Sequence, residues 1–288
     1  MSVPFKSGQP RRILTFGAAT AAAAAAVLLG GVSPAQAVAN PTVISVVTAA
    51  GAAGNASATA VCPAGLNLVG AGGRIAGAAG LVTMTDVIPD VAGNQVTVNG
   101  NEAGAGTGVA WAVEAVAICD PVIVGVVRVA AVSALDGVPS KTVTAACPVN
   151  TSLTGLGYQL RGAGGDVFPD DVVPTLGGAT VTAFDNGAGA TWSVESFALC
   201  APVPAGAVPS IQTDTTGLNP NAAKTITTPN CPAPDRTVGT GARMTGATGN
   251  AILTQMAPNP VATRGVASAD AYNGFAGNWR LESFAICW

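Results

Sequence analysis

The chain has 288 residues, of which 49% are hydrophobic and only 9% are charged, with a formal net charge of −3. A chain so apolar must bury a core, and its low charge content excludes disorder driven by charge. It contains no histidine, which excludes catalysis by a histidine base and, with no C-x-x-C pair, argues against a structural zinc site.

The first 37 residues have the three-part plan of a cleavable secretory signal. Lys6, Arg11 and Arg12 form a basic start, an alanine-rich apolar stretch covers 13–30, and the segment ends in Ala35-Gln36-Ala37. The alternative interpretation is a membrane anchor, because the apolar stretch approaches bilayer-spanning length. Alanine is weakly hydrophobic and the A-x-A site favours cleavage, so we expect a secreted, extracellular protein. Either the general or the twin-arginine export route fits this signal.

The charge of the remaining chain limits its partners. Without the signal it carries nine basic and 15 acidic residues, a formal net charge of −6. Nucleic acids and anionic membranes select basic surfaces, so we expect no nucleic-acid partner. No later segment is long and apolar enough to span a membrane as a helix, so we also expect no integral membrane segment after signal cleavage.

Two linked motifs occur three times along the chain. Each copy begins with Cys-Pro, has glycines eight and ten residues after the cysteine and a proline 27 residues after it, and closes on W-x-[VL]-E-[AS]-[VF]-A-[IL]-C. This periodicity divides the chain after the signal into unit 1 (38–120), unit 2 (121–207) and unit 3 (208–288). The distance from the proline to the closing tryptophan varies, which marks the stretch most free to carry unit-specific function.

The sequence predicts an all-β fold. Turn-forming glycine and proline residues are frequent, and no amphipathic helical pattern with capping residues follows the signal. Each unit of about 80 residues should form six antiparallel strands. In unit 1 we predict strands at 43–48, 57–62, 66–75, 81–88, 95–98 and 109–119. The last is apolar on both faces and is therefore predicted to be central and buried on two sides. Short connections between units favour a single pseudo-threefold prism over three β-sandwiches in a row.

Six cysteines in an exported chain predict three structural disulfides. Since equivalent units should form equivalent disulfides, the repeat predicts one pairing: Cys62–Cys119, Cys147–Cys200 and Cys231–Cys287. The chain-entropy model gives each such loop about 4 kcal/mol of stabilisation.

The pattern of Cys-Pro, Gly-x-Gly and a closing Trp-x-Val-x-Ala strand that ends in cysteine resembles repeat units in small exported proteins of high-GC Gram-positive bacteria, mostly of unassigned function. The resemblance covers nearly all of the chain after the signal and implies location more than activity. A disulfide-linked, glycine-rich β unit in three copies is also distantly similar to the β-prism of prism-type lectins and of the vitelline membrane outer layer protein. That similarity implies architecture only.

Three carboxylates recur in the closing strand at Glu114, Glu195 and Glu282. A carboxylate among apolar residues needs a partner or a chemical role. Twelve residues after the opening cysteines stand Arg74, Gln159 and Arg243. We interpret each glutamate as a buried carboxylate paired with that donor, which would fix strand register. The alternative is a site for glycoside cleavage by a carboxylate pair, but one copy per unit favours a structural role.

Two further sets of residues are weaker candidates. Asp166, Asp170 and Asp171 could ligate calcium, but they match no defined loop pattern and have no counterpart in units 1 and 3, so we predict a solvated acidic turn. The candidate aromatics for stacking on carbohydrate are Tyr158, Phe168, Phe184, Tyr272, Phe275 and Trp288.

The leading hypothesis is a non-enzymatic extracellular or cell-surface protein that binds glycans or another surface, or that forms part of the cell envelope. Repeated units suit multivalent weak binding. We predict no catalytic residues, no cofactor and no metal site for this reading. The alternative hypothesis is a secreted carboxylate-dependent hydrolase of the glycosidase type.

Overall fold

The computed structural model describes residues 40–288, apart from 52–53, 79, 163, 188 and 190. The predicted signal segment therefore lies outside the described residues. Within the described ranges the regular structure is all β, as predicted. No helix that could cross a membrane occurs in this part of the chain.

Each unit contributes six strands. Unit 1 contains β1 (Thr42–Val47), β2 (Asn55–Val61), β3 (Asn67–Ala76), β4 (Val82–Asp90), β5 (Gln95–Glu102) and β6 (Ala112–Asp120). Unit 2 contains β7 (Val127–Val132), β8 (Ser140–Ala146), β9 (Thr151–Arg161), β10 (Val167–Thr175), β11 (Gly178–Asp185) and β12 (Ser193–Pro202). Unit 3 contains β13 (Ser210–Thr215), β14 (Ala223–Thr227), β15 (Thr237–Thr245), β16 (Ala251–Pro258), β17 (Gly265–Ala271) and β18 (Arg280–Cys287).

These strands form three six-stranded antiparallel sheets, each of which takes three strands from one unit and three from another. Sheet I has the order β1-β6-β3-β16-β17-β14, sheet II the order β2-β5-β4-β9-β12-β7, and sheet III the order β13-β18-β15-β10-β11-β8. Every unit places its first, sixth and third strands in one sheet and its second, fifth and fourth strands in the next. The arrangement therefore has threefold pseudo-symmetry.

The units join at three equivalent places, which we call seams. Seam I pairs β3 with β16, seam II pairs β9 with β4, and seam III pairs β15 with β10. In each seam the third strand of one unit lies beside the fourth strand of another. Each sheet is therefore continuous across two units.

Recurring glycines allow β3, β9 and β15 to contact one another at the centre of the molecule. A Cβ on Gly70 would lie 1.8 Å from the backbone oxygen of Val238, and one on Gly155 would lie 2.7 Å from that of Val69. Gly239 has the same relation to Thr154, at 2.4 Å. These are the glycines eight residues after each opening cysteine, and only glycine fits where backbones approach so closely.

In each sheet the closing strand lies between two other strands. β6 lies between β1 and β3, and of its residues only Glu114 is not fully buried. This agrees with the predicted burial on two sides. The tryptophans that precede the closing strands, Trp111, Trp192 and Trp279, are among the largest fully buried side chains of the core.

Three disulfides join Cys62 to Cys119, Cys147 to Cys200 and Cys231 to Cys287, the pairs that the repeat predicts. Their Cα–Cα distances of 5.7, 5.7 and 5.5 Å are ordinary for this bond. Each bond ties the segment that follows a unit's second strand to its closing strand. Because those two strands belong to different sheets, the disulfide fastens the two halves of the unit together.

Candidate functional site

A row of polar side chains crosses the middle of each sheet on its solvent-facing side. The row begins at the recurring glutamate of the closing strand and continues to the residue in register on the third strand of the same unit, which is Arg74, Gln159 or Arg243. It then crosses the seam to the fourth strand of another unit. There the residues in register are Gln255, Asp86 and Asp171.

Two of the predicted ion pairs are present. Arg74 Nε donates to Glu114 Oε2 at 2.8 Å, and Arg243 Nε donates to Glu282 Oε2 at 2.8 Å. Arg243 adds a second bond from its terminal nitrogen to the same oxygen, and the exposed Ser45 hydroxyl donates to Glu114 Oε1. These bonds join neighbouring strands on one face of the sheet.

In unit 2 the carboxylate has a different partner from the one predicted. Gln159 lies opposite Glu195 in register, but Arg161 Nη2 makes the ion pair with Glu195 Oε2 at 2.5 Å. Arg161 stands two residues farther along β9 and so faces the same side of the sheet. The sequence contains a signal for this partner: Arg161 is the charged residue nearest to Gln159, and a separation of two places both on one face of a strand.

The prediction that these carboxylates are buried is wrong in degree. The side chains of Glu114, Glu195 and Glu282 keep 16, 15 and 16% of their surface exposed, and those of their arginine partners keep 45, 58 and 41%. The sequence shows that the closing strand is apolar on both sides, but the polar row on the adjacent strands keeps this part of the face in contact with water. Ion pairs this exposed contribute little stability.

At the far end of two of the rows stand aspartates, Asp86 and Asp171, whose pKa values are shifted. Asp86 is buried and accepts hydrogen bonds from Asn99 Nδ2 at 2.9 Å and from the Leu160 backbone N–H at 3.1 Å. Burial raises the pKa of Asp86, and these hydrogen bonds partly oppose the rise. Burial also raises the pKa of Asp171, opposed first by the charge of Arg243.

Two of the glutamate–arginine pairs line open grooves. The groove on sheet II has a volume of about 410 Å³ and is lined by Arg161 and Glu195 together with Val132, Ser133, Leu135 and Ser193. The groove on sheet I has a volume of about 360 Å³ and crosses seam I, so that units 1 and 3 both line it. Its polar lining includes Ser45, Arg74, Glu114 and Gln255, and its apolar lining includes Val43 and Val266.

The prediction of a solvated acidic turn at Asp166, Asp170 and Asp171 is wrong for Asp170 and Asp171. Asp170 and Asp171 lie within β10, and Asp170 is only 6% exposed. The two occupy the same repeat positions as Thr85-Asp86 and Thr254-Gln255, so Asp171 has a counterpart of the same type in unit 1, Asp86, 24 residues after the opening cysteine. Asp166 lies outside the strand, where its Oδ1 accepts a hydrogen bond from the Gly104 backbone N–H at 3.0 Å.

The candidate stacking aromatics are not surface residues. Tyr158, Phe168, Tyr272 and Trp288 are buried, and Phe184 and Phe275 are partly buried. Tyr158 donates to the Met84 backbone oxygen across seam II at 2.6 Å, and Phe168 meets Tyr272 edge-on with ring centroids 4.9 Å apart. These aromatics join units to one another, because a chain with few large apolar side chains uses them in its core.

In the part of the chain that the structure describes, no three or more cysteine, aspartate or glutamate side chains come together in a group that could hold a metal ion. The arrangement offers instead hydrogen-bond donors and acceptors beside apolar surface in shallow grooves. Such a lining suits a polar ligand that also has an apolar face.

No protein-family model matches the chain, and no curated protein is significantly similar to it.

Proposed function

We propose that the protein is a non-enzymatic extracellular binding protein that holds glycans of a cell surface or envelope on the outer polar rows of its sheets. The observation that carries this proposal is the groove across seam I, where hydrogen-bonding groups and apolar side chains line one shared surface. Three disulfides suit an oxidising extracellular compartment. The resemblance to small exported proteins of high-GC Gram-positive bacteria supports the same location.

The hydrogen-bonding capacity of this groove matches a sugar. Arg74 uses Nε for Glu114, and its two terminal nitrogens have no partner among the described residues. Ser45 and the Glu114 carboxylate supply acceptor lone pairs beside them. Sugar hydroxyl groups both donate and accept, and the apolar C–H face of a sugar ring suits the valines that line the groove beside these polar groups. The formal charges of Arg74 and Glu114 cancel, which favours a neutral glycan.

Repetition of the row supports multivalent attachment. Sheet II carries a groove at the equivalent Arg161–Glu195 pair, and sheet III carries the Arg243–Glu282 pair. A surface that presents many copies of one glycan would engage several rows at once. Linked weak sites raise the overall affinity without any new contact.

The test is a glycan array probed with the purified protein, followed by calorimetric titration of the best ligand. We expect Arg74→Ala to weaken binding by about tenfold or more, since a hydrogen bond to a charged group contributes about 1.5–3 kcal/mol. Arg280→Ala, which removes an exposed arginine at the start of β18, is the matched control and should bind as the unmodified protein does. Absence of any bound glycan would contradict the proposal.

A hydrolase is the second candidate, favoured by Asp86 and Glu195. They flank Gln159 in the row of sheet II, so their strands lie about 10 Å apart, close to the spacing of an inverting carboxylate pair. Against it, Asp86 is buried and held by several hydrogen bonds. Shortening of a bound glycan that Glu195→Gln abolishes would favour the enzyme, whereas binding that persists in Glu114→Gln, Glu195→Gln and Glu282→Gln would favour the binding protein.

For the architecture, the proposal is a single closed prism with the three sheets as its sides. The cyclic contacts of β3, β9 and β15 and the sharing of every sheet between units support it. The scaling rule for globular chains gives a radius of gyration of roughly 18 Å for the chain after the signal. Small-angle scattering with a markedly larger radius and an elongated profile would overturn the prism.

A further inference from the structure

The three seams differ at two neighbouring positions of the fourth strand. In each fourth strand the register shifts by one residue against the fifth strand, which is a β-bulge. The bulge residue and the residue after it are Thr254-Gln255 in seam I, Thr85-Asp86 in seam II and Asp170-Asp171 in seam III. Seam III alone places two carboxylates side by side.

At the bulge two consecutive residues of the fourth strand lie opposite one residue of the fifth strand, so their side chains are neighbours. In seam II the Thr85 hydroxyl donates to Asp86 Oδ2 at 3.1 Å. The equivalent geometry in seam III puts Asp170 beside Asp171, but two ionised carboxylates have no hydrogen to donate. Oδ1 of each is buried and has no hydrogen-bond partner. The hydrogen bonds that these groups do accept come from the Gly249 backbone to Asp170 and from Thr182 and the Met244 backbone to Asp171. A buried carboxylate oxygen without a hydrogen bond is unfavourable while the group is charged.

The charges around the pair do not neutralise Asp170. The charge that acts on it is that of Asp171, and its one hydrogen bond is from the backbone of Gly249, between β15 and β16. Arg243 of β15 and Glu282 of β18 act on Asp171 instead. β16 has no charged residue.

The other charged residues on the strands packed against β10 lie elsewhere. They are Asp86 and Arg161 at seam II, Asp185 opposite Val167, Asp90 opposite Gln95 and Arg280 opposite Thr245. Burial first, and then the charge of Asp171, raise the pKa of Asp170 to about 7 from its ordinary value of 3.8.

We propose that Asp170 and Asp171 share one proton at and below neutral pH, and that this proton holds seam III closed, so that the junction between units 2 and 3 loosens as the pH rises. A proton on Asp170 makes it a donor to Asp171, which copies the bond that Thr85 makes in seam II. Loss of that proton leaves two adjacent carboxylates that repel each other.

The direction in which the stability of seam III changes with pH follows from the difference between the folded and unfolded pKa values of Asp170. The folded pKa of Asp170 is above its unfolded value, so the stabilisation is fully present below about pH 4 and is lost as the pH rises through about 7. Above about pH 8 both the closed and the open seam are deprotonated, and no further loss occurs.

Hydrogen exchange of the intact protein from pH 5 to pH 8.5, corrected for intrinsic exchange rates, tests the proposal. Amide protection in β10 and β15 should fall by up to about tenfold per pH unit between pH 5 and 7 and then level off. Protection in β3 and β16 of seam I, where Thr254 and Gln255 stand, should stay constant. Protection at seam III that is flat, or that rises with pH, would overturn the proposal.

The chain supplies its own control substitution. Asp170→Thr installs the residue found at the equivalent position of both other seams and should abolish the pH dependence of seam III. An unchanged pH dependence in this variant would contradict the proposal. Should the variant fail to fold, carboxyl NMR of the unmodified protein decides: titration of Asp170 near 7 supports the shared proton, and titration near 4 overturns it.

Discussion

Two positions of each third strand, four residues apart, follow different rules, although both belong to the same repeat and lie on the same side of the strand. At the centre, Gly70, Gly155 and Gly239 are identical because a Cβ would lie 1.8–2.7 Å from the backbone oxygen of another unit. Four residues later, where the same side of the strand is open to water, the repeat has arginine, glutamine and arginine. Where two backbones are in contact, only glycine fits. Where the strand is open to water, any side chain that can pair with the neighbouring glutamate is tolerated.

The largest expected effect comes from the centre. Gly70→Ala drives a methyl group into the Val238 carbonyl, and neither backbone can yield without separating the units, so we expect a loss of at least about 3 kcal/mol of unfolding free energy or no folded protein. Gly177→Ala is the control, because no atom lies within 4 Å of its Cβ. Equal denaturation midpoints for the two variants would refute close packing at the centre.

Removal of a disulfide should have an intermediate effect that extends beyond one unit. Replacing Cys147 and Cys200 together by serine should reduce the unfolding free energy by about 2–4 kcal/mol. Because sheets II and III both contain strands of unit 2, we expect one cooperative transition by circular dichroism and by tryptophan fluorescence. Two separate transitions would instead mean that the units unfold independently.

The smallest effect is expected on the outer face. In a double-mutant cycle of Glu282→Leu and Arg243→Met, the coupling energy should be below about 1 kcal/mol, since Arg243 keeps 41% of its side chain exposed. The four unfolding free energies from chemical denaturation give this value directly. A coupling of about 3 kcal/mol would indicate a fully desolvated pair and remove the contrast between the central glycines and the exposed ion pairs.

The sequence by itself determined the all-β class, the three units and the pairs of cysteines that join, because a repeat with one cysteine at each end constrains every copy alike. It also located the glutamate row, since the charged position stands out in an apolar strand. Its strand limits for unit 1 differ from those of the structure by a few residues, because strand ends depend on pairing with other strands.

Tertiary structure alone decided which residues meet across the seams. Arg161 replaces Gln159 as the partner of Glu195 because both face one side of β9, and the longer side chain reaches the carboxylate. Asp170 is buried at seam III, where β15 of unit 3 pairs with β10. Tyr158 and Phe168 are also buried at contacts with other units. Such contacts join residues that are far apart in the chain. The local pattern of one unit therefore does not predict which surface of another unit will pack against it.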